Sequence, residues 1–158
     1  MKLNKAGKLI VAILVSEMAG IIGSVFTTPA IPTWYATLEK PFFNPPSWVF
    51  APVWTTLFVL MGIAAYLVWE KGFEKKEVRK ALSIFGVQLV LNTMWSILFF
   101  GAQSPLLAFI EIIILWFAIL LTIVKFWRIS KNAGLLLIPY IAWVSFASVL
   151  NLSIWLLN

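Results

Sequence analysis

Five stretches of the chain are apolar over roughly 20 residues, the length a helix needs to cross about 30 Å of hydrocarbon. They span residues 9–27, 49–69, 81–100, 105–124 and 134–157, and none contains Lys or Arg. The strict alternation of a membrane-barrel strand is missing from them. Backbone polar groups in lipid need partners within their own segment, so each stretch is predicted to be a helix. The first follows a basic start (Lys2, Lys5, Lys8), as a signal peptide would. It is long, holds Glu17 and lacks an A-x-A site, so it is read as a retained helix. The predicted fold is an all-α membrane protein, a single domain over 1–158: a bundle of five transmembrane helices.

Polar residues between the stretches orient the bundle. The N-terminus, the 2–3 connection (Lys71, Lys75, Lys76, Arg79, Lys80) and the 4–5 connection (Lys125, Arg128, Lys131) carry 11 of the 12 basic residues. Five crossings put these three segments on one side, leaving Lys40 alone on the other. The positive-inside rule predicts a cytoplasmic N-terminus and a C-terminus on the opposite face. The net charge of +6 is then orientation chemistry and gives no reason to expect a nucleic-acid partner. The basic clusters are also suited to anionic membrane lipid. The 3–4 link, residues 101–104, is short and forces antiparallel neighbours. The 1–2 connection, 28–48, is long and rich in Pro and aromatics, including Trp34, Tyr35, Phe42, Phe43 and Trp48. That composition predicts a stiff, structured lid; connections this long are usually functional or disordered.

Composition narrows the chemistry. The chain is 62% hydrophobic and 11% charged, against about 45–50% and about 25% in soluble domains. It has no Cys, His or Asp, which excludes Ser-His-Asp triads, thiolate nucleophiles and His-ligated metal; no catalytic residue or metal ligand is assigned. Nine Trp in 158 residues line either the membrane interface or a pocket.

Polar residues inside the spans are costly and mark candidate sites. Glu17 in span 1, beside a small-residue ladder of Ser16, Gly20 and Ser24, and Glu111 in span 4 have no basic residue in any span to pair with. Each is either a hydrogen-bonded helix–helix contact or part of a relay or ligand site. Gln88, Asn92 and Trp95 share one helical face of span 3, and Tyr140, Trp143, Ala147 and Asn151 share one face of span 5. Trp54 opens span 2 beneath the lid, and Pro139 removes a helix hydrogen bond near Tyr140. These faces are either interhelical glue or the wall of a pocket for a flat apolar ligand with polar edges.

The ordered motifs Trp34-Tyr35-x-x-Leu38-x-Lys40-Pro41, Pro45-Pro46-x-Trp48-x-Phe50-x-Pro52-x-Trp54-Thr55, Gln88-x-x-x-Asn92-x-x-Trp95-Ser96 with Phe99-Phe100, and Pro139-Tyr140-x-x-Trp143-x-x-Phe146-Ala147 with Leu150-Asn151 cover essentially the whole chain. In these the sequence resembles the translocator protein family, also called tryptophan-rich sensory proteins or peripheral benzodiazepine receptors. The resemblance implies a five-helix bundle, commonly a homodimer, with a cavity open toward the 1–2 loop. It implies binding of porphyrin or haem as ligand, with no cofactor required, and of sterols or synthetic isoquinoline and benzodiazepine-type ligands. By motif position the family's pocket residues fall on Tyr35, Trp54, Asn92, Trp143 and Ala147. The helical faces add Trp95, Tyr140 and Asn151 to the expected ligand-binding set. Animal members carry a late cholesterol-recognition pattern with Tyr and a basic residue. Residues 149–158 have neither, which favours a member of the prokaryotic cell-membrane kind. The leading functional expectation is a membrane receptor or sensor for tetrapyrroles, possible transport of them included. The alternative is a light- and oxygen-dependent porphyrin-degrading enzyme using cavity tryptophans. An autonomous secondary transporter is disfavoured by the lack of an internal repeat.

Overall fold

A computed structural model describes residues 3–158. Lys2, one of the basic residues counted above, lies outside the described residues. Helix α1 (Lys5–Ala30) is followed by the one-turn helix α2 (Trp34–Thr37), a 3-10 turn at Ser47–Val49 and α3 (Phe50–Trp69). Then come α4 (Lys76–Ser96) with a π-turn at Ile97–Gly101, α5 (Pro105–Ile129), the short α6 (Lys131–Leu136) and α7 (Ile138–Leu157). Among the described residues, five helical segments are long and apolar enough to cross a membrane, the last formed by α6 and α7 together.

The helices overrun the apolar stretches at their ends. α1 extends to Ala30 through Pro29, α4 begins at Lys76, and α5 continues to Ile129. Hydropathy marks only the part that lipid can cover, whereas the helix stops where its caps fall. Asn4 accepts from the Gly7 amide at 2.7 Å, and Ser104 caps α5. Pro139 was expected to remove a hydrogen bond inside a continuous last helix near Tyr140; instead the span breaks before it, at Leu137, and Pro139 sits in the first turn of α7, where a missing N–H costs nothing.

The spans close into a ring in which α1 packs on α3 and α4, α4 on α5, α5 on α6 and α7, and α6 on α3. Apart from Lys40, which lies over the Tyr35 ring in the lid, the basic residues of the described chain gather at one end, where Lys8 pairs with Glu70 at 2.8 Å. Phe85 and Phe126 stack at 5.6 Å between α4 and α5 near the same end. The backbones of α1 and α3 approach closely. A Cβ on Gly62 would lie 2.5 Å from the Ile13 Cα, and one on Gly20 would lie 2.5 Å from the Phe58 ring. Small residues permit such approach where lipid offers no hydrophobic drive for association. Because Gly62 faces backbone, which cannot swing aside, Gly62→Ala is expected to cost about 1–3 kcal/mol by overpacking. A lowered melting temperature in detergent is the readout; an unchanged one would mean that the two helices can separate freely.

Candidate functional site

At the lid end the ring opens into a cavity of about 320 Å³ walled by α1, α3, α4 and α7. The lid that covers it is held by aromatic packing. Tyr35 is buried, and its hydroxyl donates to Asn44 Oδ1 at 2.9 Å. Its ring lies 6.3 Å from Phe99 and 5.8 Å from Phe100, while Trp34 meets Phe99 edge-on at 5.6 Å. Burial pushes the Tyr35 hydroxyl above the usual tyrosine range, against the opposing effect of the Asn44 bond, so it stays a neutral donor. Asn158 ties the far end of the lid to α7. Its amide accepts from the Glu39 N–H and donates to the Glu39 carbonyl, each at 3.0 Å.

Of the eight residues expected from sequence, Tyr35, Trp54, Asn92, Trp95, Trp143, Ala147 and Asn151 line this cavity. They do so in different ways. Trp54 stacks on Phe58 with ring centres 5.7 Å apart. Trp95 donates its indole N–H to Asn151 Oδ1 at 3.0 Å, and Asn151 donates in turn to the Pro105 carbonyl at 2.8 Å. Asn151 therefore aims the Trp95 ring and anchors α7 to α5, and Trp95 offers the cavity a stacking face only.

Tyr140 does not line the cavity. It is 1% exposed and lies behind Asn92. Its hydroxyl donates to Gln88 Oε1 and accepts from Asn92 Nδ2, both at 2.8 Å. The bond fixes the Asn92 amide, whose Oδ1 accepts no hydrogen bond from the described residues. Tyr140→Phe leaves two buried amides short of a partner. It is expected to cost about 1–3 kcal/mol of stability and to weaken ligand binding by releasing the Asn92 amide. Melting temperature and a dissociation constant measured together decide the point. A lower melting temperature with unchanged affinity would make Tyr140 structural only.

Two lining groups were missed as such by the sequence faces. Phe99 and Phe100 both face the cavity although they are consecutive, because the π-turn, closed by Ala102 N–H to the Ile97 carbonyl at 2.7 Å, locally changes the helical period. Glu17 also lines it, with Gly20 and Ser24 of the same helix. The expected helix–helix hydrogen bonds of the two membrane glutamates are not present. Glu17 Oε1 and both Glu111 carboxyl oxygens are buried without a partner among the described residues. Glu111 lies outside the cavity lining. The Trp143 indole nitrogen is likewise buried and unpartnered.

The cavity thus combines large aromatic faces with Asn92, whose Oδ1 the described residues leave unmatched, and with Trp143 and Glu17, each of which carries a buried polar atom without a partner among the described residues. A buried polar group without a partner costs free energy that a bound molecule can recover. Fold and cavity together define a multi-pass helical membrane protein with an aromatic-lined cavity. The TspO/MBR family profile matches residues 12–156. The chain is 51% identical to the tryptophan-rich protein TspO of Archaeoglobus fulgidus, over 96% of this chain and 97% of that one. It is 38% identical to the translocator protein of Homo sapiens, covering 90% and 85% of the two chains. Identity to the tryptophan-rich sensory protein of Cereibacter sphaeroides is 35%, covering 79% and 77%. The chain belongs to the TspO/MBR family.

Proposed function

We propose that this protein is a membrane receptor whose cavity binds a tetrapyrrole, a porphyrin or haem, beneath the lid. The observation that carries the reading is the chamber itself. A cavity of about 320 Å³ is lined by Trp54, Trp95, Trp143, Phe58 and Phe99, and its lining residues Trp143 and Glu17 each carry a buried polar atom without a partner among the described residues. A flat conjugated ring stacks on such walls, and its polar edge meets the unmatched atoms. The same chemistry admits sterols and flat synthetic ligands of the isoquinoline and benzodiazepine type more weakly. Release of the ligand on the other side would make the protein a carrier as well. The basic end faces the cytoplasm of a prokaryotic cell, so the chamber opens toward the outer face, and two copies associate through their apolar outer surfaces. Reporters fused to either terminus test the orientation; both ends on one side would refute it.

The decisive experiment is titration of the purified protein with protoporphyrin, haem and cholesterol, followed by quenching of tryptophan fluorescence. Saturable quenching by the tetrapyrroles, lost when a competing isoquinoline fills the chamber, is the expected result. Quenching that persists in variants with a filled chamber would place the ligand elsewhere and overturn the reading.

A further inference from the structure

A second concavity lies at the opposite, basic end of the bundle. It is a cleft of about 340 Å³ between the α3–α4 turn, the first turns of α4 and the last turn of α5. Lys71, Lys75 and Lys80 line it from one side and Lys125 and Arg128 from the other, and Glu77 is the single carboxylate. Five cations against one anion leave an excess charge of +4 in one recess, obtained by subtracting Glu77 from the five basic residues. The charges are not matched within the protein: Lys8–Glu70 is the ion pair among the described residues, and it lies outside the cleft. Neither are they loosely strung along a mobile loop. Val78 and Ile129 form part of the cleft lining, Val78 is 1% exposed, and the Phe85–Phe126 stack fixes the spacing of α4 and α5. The positive-inside rule accounts for basic residues on this side, but it does not require segments some fifty positions apart to converge on one recess.

Like charges held together in a fixed recess raise its affinity for an anion. The position indicates which anion. Lys125 and Arg128 directly follow the apolar run of α5, where Leu120, Leu121 and Val124 are exposed on the outside of the bundle. A molecule with its phosphate in the cleft can lay acyl chains along that surface, whereas a soluble anion gains nothing from it. We propose that this cleft binds the phosphate-bearing headgroup of an anionic phospholipid from the adjacent leaflet. Basic pockets between membrane helices recognise such headgroups through the same balance of charge and apolar contact.

The test uses the whole protein in phosphatidylcholine with increasing phosphatidylglycerol, reading the lipid retained by native mass spectrometry and the melting temperature. The double variant Lys80→Gln/Arg128→Gln is expected to bind phosphatidylglycerol on the order of tenfold more weakly. Lys76→Gln/Lys131→Gln removes the same charge from the same end but outside the cleft, and should stay close to the parent. A second cleft pair, Lys71→Gln/Lys125→Gln, serves if the first fails to fold in phosphatidylcholine alone. Equal losses in cleft and control pairs would reduce the effect to diffuse surface attraction and overturn the proposal. So would inorganic phosphate that, in phosphatidylcholine alone, raises the parent's melting temperature as much as phosphatidylglycerol does; the ligand would then be a soluble anion.

Discussion

Ala147→Leu is expected to weaken porphyrin binding by roughly 5- to 150-fold, because forcing extra methylenes into a filled site costs on the order of 1–3 kcal/mol and a rigid macrocycle cannot yield. Ala147 sits on α7 one turn from Trp143, facing a chamber of about 320 Å³ shared with Trp54 and Trp95. The larger side chain grows into empty space in the ligand-free protein, so the melting temperature should hold or rise slightly. Asn92, Trp143 and Glu17 keep their unmatched atoms, and the loss is therefore one of room alone. A dissociation constant from fluorescence quenching, beside a melting curve, checks both halves. Unchanged affinity would show that the ligand does not reach α7.

The sequence made the five crossings visible because Lys and Arg, whose burial in lipid is costly, interrupt every connection on one side. The helix ends were hidden, since hydropathy reports what lipid covers and not where a cap closes the backbone. Two walls of the chamber were legible for the same reason: helical spacing puts Asn92 with Trp95, and Trp143 with Ala147, without knowledge of any neighbour. Spacing along one helix cannot say which helix lies opposite. Glu17 was conspicuous as a lone acid, yet nothing in α1 alone says that it lines the same cavity as Asn92 and Trp143. Tyr140 shares the face of Trp143 but, at the first turn of α7, points behind Asn92 to Gln88. Phe99 and Phe100 stand in the family motif, but regular helical spacing does not turn both to the cavity; the π-turn does.

Glu17 and Trp143 also explain why the chamber should be less stable empty than filled. Both carry a buried polar atom that finds no partner among the described residues. By linkage, a ligand that satisfies them raises the melting temperature in proportion to the logarithm of its concentration above its dissociation constant. Asn151 and Trp95 contribute differently, because their polar atoms already bond each other. Their share in recognition is shape.

This contrast gives the indole of Trp143 an unusual signature. Its ring is held between Phe50 at 6.3 Å and Phe146 at 5.4 Å, so the side chain is positioned by packing and not by its N–H. Trp143→Ala removes a large stacking surface and is expected to weaken tetrapyrrole binding by about 2–4 kcal/mol, the area term with an aromatic contribution added. Trp143→Phe separates the two components. It keeps an aromatic face but deletes the unmatched donor, whose burial costs the free protein about 1–3 kcal/mol. The ligand-free melting temperature should therefore hold or rise in Trp143→Phe, while affinity falls by roughly tenfold through the lost hydrogen bond and reduced ring area. The Trp127→Phe variant, at the basic end and outside the chamber, should leave affinity unchanged. Opposite signs for stability and binding in Trp143→Phe are what a preformed, ligand-seeking donor produces. A lowered melting temperature with unchanged affinity would instead make Trp143 a packing residue and leave Asn92 and Glu17 to orient the ligand.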